Sequence, residues 1–145
     1  MNEIKMEVKG IKDLEESITK MAGKFDVASR KIVMQGGVLV SNEAKKRFRG
    51  ASQTAAPKPD RPTSRTGNLM KSIDTDSAKY EGKGRWSTRT GPTVKYARRV
   101  ELGYSGGGGR GHQTTRPFPY LAPGFVNARP KLIELYKSLW REAVA

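Results

Sequence analysis

From Ile11 onward the apolar residues of this chain recur at intervals of three and four, and that period calls for helices packed through one face. Ile11, Leu14, Ile18, Met21 and Phe25 share a single stripe, because residues three and four apart lie on the same side of an α-helix. Gly23 predicts a break, and a second helix is expected from about Asp26 to Arg49. Asp26 would be its N-cap, its carboxylate accepting from the free amides of the first turn. Val33, Gly37, Val40, Ala44 and Phe48 form the inward stripe of that helix. Gly36 and Gly37 each cost about 1 kcal/mol against alanine in a helix interior, so the pair implies a kink or a backbone packed closely on a neighbour. Lys45, Lys46, Arg47 and Arg49 close the helix, where cations suit the negative end of the dipole.

The remaining segments change period repeatedly. Ile4, Met6 and Val8 alternate with charged residues over 3–9, a half-buried strand pattern ended by Gly10. Residues 50–65 carry Pro57, Pro59 and Pro62 and no apolar period, which reads as a loop. Thr66 is expected to cap a short helix through Leu69, Met70 and Ile73. A hairpin follows, with arms Ile73–Glu81 and Arg85–Gly91 around a turn at Gly82-Lys83-Gly84. Residues 94–102 fit another short helix, and 103–116 hold six glycines, a second flexible loop. Phe118, Tyr120 and Leu121 then lead into a helical stretch that Pro130 restarts, with Leu132, Leu135, Tyr136, Leu139, Trp140 and Ala143 on one stripe. The fold class is α+β: a small antiparallel sheet packed with a long N-terminal helix and a C-terminal helix, with two long flexible loops. A length of 145 residues fits a single domain spanning 1–145.

Charge points to the partners. Lys and Arg total 28 against 14 acids, a formal net charge of +14. Such a chain repels its own kind and attracts polyanions, either nucleic acid or an acidic protein surface. It has no cysteine, which removes disulfides, thiolate zinc sites and cysteine nucleophiles together. No stretch approaches the roughly 18 apolar residues of a membrane span, and the alternating N-terminus lacks the apolar core of a secretory signal.

Neither catalysis, metal binding nor a cofactor is expected. His112 is the one histidine and sits in the Gly-rich loop with no base, acid or second ligand fixed beside it. Asp74 and Asp76 share a strand face without a third ligand at a recognisable spacing. Residues 106–111 formally spell G-x-G-x-x-G, but no helix opens after them. Two basic groups stand out. Lys45, Lys46, Arg47, Arg49, Lys58, Arg61 and Arg65 run from the helix end through the proline-rich loop, and Arg85, Arg89, Lys95, Arg98 and Arg99 form the second. Trp86 and Tyr96 lie within the latter, where bases could stack. These charges can meet phosphates without reading sequence, or can face acidic partners.

Three boxes in order resemble the head–tail joining proteins of long-tailed bacteriophages, tail-completion type. Arg65-Thr66-Gly67-Asn68-Leu69-Met70-Lys71-Ser72-Ile73 is similar to the family's R-T-G-x-L-x-x-S-I. Tyr96-Ala97-Arg98-Arg99-Val100-Glu101-Leu102-Gly103 is similar to its Y-A-x-x-V-E-x-G. Arg116-Pro117-Phe118 with Leu121 and Pro123 is similar to its R-P-F-L-x-P-A, except that Pro119 interrupts it and Gly124 replaces the usual alanine. The resemblance implies a structural subunit forming a closed, hexameric ring between the capsid connector and the tail tube. It implies self-association, contact with other neck and tail proteins, and residence in the virion after assembly in the host cytoplasm. Within the boxes, Thr66 and Gly67 are expected to start a helix, Leu69 and Ile73 to anchor it, and Tyr96, Ala97 and Val100 to supply a second apolar face. Gly103 should stop that helix in the left-handed conformation, while Phe118 and Leu121 pin the C-terminal helix. The joining surface is expected in the two loops. Sequence-independent binding of DNA through the basic loop and helix end is the alternative function.

Overall fold

The computed structural model describes residues 10–48, 62, 66–105 and 116–145. The strand expected over 3–9 and most of both expected loops lie outside the described residues. Two long helices dominate the rest. α1 runs Ile11–Lys46 and α4 runs Leu121–Val144. Between them come α2 (Asn68–Lys71), strands β1 (Ile73–Thr75), β2 (Lys79–Gly82), β3 (Arg85–Ser87) and β4 (Thr90–Pro92), and α3 (Ala97–Leu102).

α1 corrects the expected break at Gly23, since it is continuous over 36 residues, or about 54 Å at 1.5 Å per residue. A glycine lowers helix stability without forbidding the helix, and Lys20, Met21, Ala22 and Lys24 around it are good helix formers. Asp26 is therefore mid-helix, not a cap, and its carboxylate accepts from the indole N–H of Trp86 at 2.8 Å. α4 likewise passes through Pro130 without restarting. Leu121–Arg129 and Lys131–Val144 face the same neighbour, so packing on α1 outweighs the backbone hydrogen bond that proline removes.

α1 and α4 lie antiparallel. Gly124 meets Ala44, Leu132 meets Gly36, and the Phe25 and Trp140 rings stack at 4.6 Å. The glycine pair marks close approach, not a kink. A Cβ at Gly36 would stand 3.1 Å from the Leu132 side chain, and one at Gly37 would collide with the Thr75 methyl. The departure at Gly124 has the same cause. A Cβ there would lie 2.7 Å from the backbone of Ala44, so the alanine usual in the family has no room.

The expected hairpin forms, but as two short antiparallel ladders. β1 pairs with β4 through Ile73–Pro92, Asp74–Gly91 and Thr75–Thr90. β2 pairs with β3 from Lys79–Ser87 to Gly82–Arg85, with a register shift before the turn. Asp76 N–H to Arg89 O at 2.8 Å carries the pairing across the gap. Gly82, Lys83 and Gly84 all have positive φ, as a tight reversal requires. The hairpin lies across α1, where the Thr90 hydroxyl donates to Gly37 O at 3.2 Å.

Candidate functional site

The three boxes converge at the C-terminal end of α1. Ala44, Ile73 and Tyr120 form the buried cluster, with Phe48, Leu69, Val100 and Leu121 packed around it. Box one contributes Leu69 and Ile73, box two Val100 with the buried Ala97, and box three Leu121. Tyr120 is 1% exposed and stacks on Phe48 at 4.9 Å. Burial, with the Glu101 carboxylate nearby, pushes its hydroxyl up to about 12, so it stays neutral.

Glu101 joins box two to box three. Its carboxylate accepts from the backbone N–H groups of Tyr120 at 2.8 Å, Leu121 at 3.0 Å and Ala122 at 3.0 Å. These are amides at the start of α4, which have no intrahelical acceptor, and a negative charge there also meets the positive end of the helix dipole. Tyr120 itself provides no side-chain cap. Phe118 N–H donates to Val100 O at 2.7 Å, so α3 holds the entry to α4 by backbone and side chain together. The capping role was not foreseen. Its one sequence signal is negative: Pro117-Phe118-Pro119-Tyr120 before α4 contains no Ser, Thr, Asp or Asn, so a cap had to come from elsewhere.

Other box residues take different roles from those expected. Gly67, not Thr66, is the N-cap of α2, with φ 76°. Thr66 contributes only a long 3.4 Å contact, its hydroxyl accepting from Asn68 N–H. Tyr96 is 46% exposed and stays outside the apolar face that Ala97 and Val100 make. Gly103 ends α3 at φ 74° and ψ 177°, a positive φ open to glycine but not the left-handed cap expected. Arg116 and Pro117 are exposed. Arg49, Lys58, Arg61 and Arg65 lie outside the described residues.

The basic groups are partly absorbed by the fold. Glu43 is buried beneath the helix end, where Lys131 and Lys46 bridge it at 2.6 and 2.9 Å. Hydrogen bonds from Lys131 and then Lys46 hold its carboxyl below the ordinary value. Lys45 is half-buried. Trp86 donates to Asp26, stacks on Tyr80 at 5.2 Å and lies under the Arg30 guanidinium at 5.7 Å, so the side chain is held between α1 and β2. Arg99 covers Tyr104 at 4.7 Å.

Beside the box cluster runs an apolar groove of about 900 Å3 between α1, the β3–β4 arm and α4. Its floor includes Val33, Gly36 and Val40, and its wall includes Phe125, Leu132, Ile133 and Tyr136. Glu101 and Arg129 are its charged residues, and Glu101 is committed to the α4 amides. Ser87, Thr88 and Thr90 supply its neutral hydroxyls. No described helix is long and apolar enough to cross a membrane.

No curated protein and no solved structure matches the chain. The family described as "Bacteriophage HK97-gp10, putative tail-component" matches residues 12–103, which takes in α1, the first two boxes and the hairpin between them. With more than half of its length matched in this way, the chain belongs to that bacteriophage tail-component family.

Proposed function

We propose that this protein is a structural neck subunit that closes into a ring and joins the capsid connector to the tail tube, without catalysing a reaction. The observation that carries this reading is the fate of the three boxes. Their apolar residues build one cluster around Ala44, and Glu101 locks α3 to α4. Residues spent on rigid geometry suit a part whose work is to hold shape between neighbours. The reading takes six copies per ring, neck and tail proteins as partners, the host cytoplasm before assembly, and the virion neck afterwards. The test is electron microscopy of particles made without this gene product. Tailless capsids beside free tails are expected, and normal virions would overturn the joining role.

Contact with DNA passing through the neck is the second reading, and the net charge of +14 supports it. Binding through roughly 6–10 phosphate contacts should weaken by about 10³–10⁵ between about 50 and 200 mM salt. No retention on DNA at about 50 mM salt would exclude it.

A further inference from the structure

The first turns of α1 have no partner within the described subunit. α4 ends beside Gly23–Ala28, where Leu139, Glu142 and Ala143 meet α1. Every residue from Ile11 to Lys24 is exposed. The overhang is about 20 Å long, and it carries the apolar stripe onward. Ile11 is 51% exposed, Leu14 61%, Ile18 59% and Met21 49%. The same chain holds an apolar groove whose wall residues Phe125, Ile133 and Tyr136 are 53%, 46% and 52% exposed. We infer that the Ile11–Met21 stripe of one copy seats in the groove between α1, β3–β4 and α4 of the next copy, head to tail. This rests on the ring reading above and names its contact.

Two features on different parts of one surface, complementary in shape and chemistry, make a heterologous interface, the kind a cyclic ring needs. Apolar anchors at i, i+3, i+7 and i+10 entering an apolar groove are a standard way for a helix to bind. Charge selects the same pairing. Lys12, Lys20 and Lys24 balance Asp13, Glu15 and Glu16 over residues 11–25, while the whole chain carries +14. This neutral segment, with its acids gathered at 13–16, can approach another copy without the general repulsion. Glu15 borders the stripe next to Ile11 and Ile18, and neither it nor the groove residue Arg129 has an ion-pair partner among the described residues. Stripe against stripe would instead bring the Asp13–Glu16 clusters of two copies together and leave the groove uncovered.

The absence of cysteine makes the contact directly testable in the full-length chain. Ile18→Cys combined with Ile133→Cys should give a ladder of covalent multimers on mild oxidation, and each single replacement should give none. Leu14→Glu and Ile133→Glu should each abolish the multimer that the wild-type chain forms in sedimentation, with melting little changed. Mixed in equal amounts, these two variants retain one intact contact per pair and should form a species of twice the 16.0 kDa subunit mass. Several results would overturn the inference: a wild-type chain that stays monomeric, a covalent dimer from Ile18→Cys alone, or a double variant that gives no ladder. The last would mean that the chain's own N-terminal residues or another protein cover the stripe. If the ladder fails while particles lacking the protein are still tailless, the interface is wrong and the neck role stands. A ladder with normal virions would keep the interface and remove the neck role.

Discussion

The two ends of α1 carry the same kind of apolar stripe and meet opposite surroundings. At the C-terminal end, Ala44 is fully buried under Gly124, and Ile73, Tyr120 and Leu69 close around it. At the N-terminal end, Ile11, Leu14, Ile18 and Met21 are about half exposed or more. One helix thus joins an end that stabilises the subunit to an end that adds little to it. Substitutions should separate the two. Ile73 has no exposure, and Ile73→Ala should cost about 4 kcal/mol in denaturant unfolding. Ile18→Ala should stay within about 0.5 kcal/mol, as exposed sites do. Equal costs at the two sites would mean that the overhang is folded into the subunit after all.

The next effect tests what holds the buried end. Glu101→Ala removes the acceptor for three amides at the start of α4 and should destabilise by about 3 kcal/mol, the scale of charge-assisted bonds lost together with desolvated donors. Glu101→Gln keeps an oxygen and loses the charge, so a smaller loss is expected. A Glu101→Ala variant that melts like the wild type would show that another group caps the helix.

Much of this architecture was legible beforehand, for reasons that differ by element. The helical period located α1 and α4, and the glycines flanking Lys83 located the turn, because both depend on local sterics. The stripe Val33–Phe48 was correctly turned inward, and the close approach at Gly36 and Gly37 was one of two expected outcomes. The breaks at Gly23 and Pro130 were not found, because packing between two long helices outweighs a local cost of about 1–3 kcal/mol. Period alone also cannot tell what covers a stripe, so the overhang reads like the core. Glu101 stands in the second box, but its capping role is hidden in the sequence for a related reason. The acid and the amides it caps are about twenty residues apart in sequence, and only the fold brings them together. Tyr120, the largest fully buried side chain among the described residues, looks in sequence like one apolar residue among several.

The buried end should also respond to acid. Glu43 lies under the ion pairs from Lys131 and Lys46, and its carboxyl is held below the ordinary value of 4.5. Its folded value is below its unfolded one, so its contribution is fully present above about 4.5 and disappears as pH falls through the lower folded value. Melting followed from pH 6 to about pH 3 should therefore fall less steeply in Lys131→Met than in the wild type. Parallel curves would show that the pair leaves stability indifferent to pH. Tyr120 gives the opposite sign at the other extreme. Its raised value, about 12, means stability that is intact below the ordinary value near 10 and lost as pH rises toward 12.

The smallest effect is the sharpest contrast, because one substitution should change sign between the two ends. Gly→Ala in a helix gains about 1 kcal/mol when the methyl has room. At Gly23 a Cβ would meet nothing within 4 Å, so Gly23→Ala should raise stability by about 1 kcal/mol or slightly less. At Gly124 the same methyl would press on the Ala44 backbone at 2.7 Å, which cannot rotate aside as a side chain could. Overpacking there should outweigh the helix gain and leave Gly124→Ala about 2 kcal/mol less stable. Two melting curves decide it. If Gly23→Ala also destabilises, the overhang is packed against something in the free subunit, and the stripe would not be available to a second copy. If Gly124→Ala is neutral, α1 and α4 can move apart at this contact, and the box cluster is looser than its burial implies.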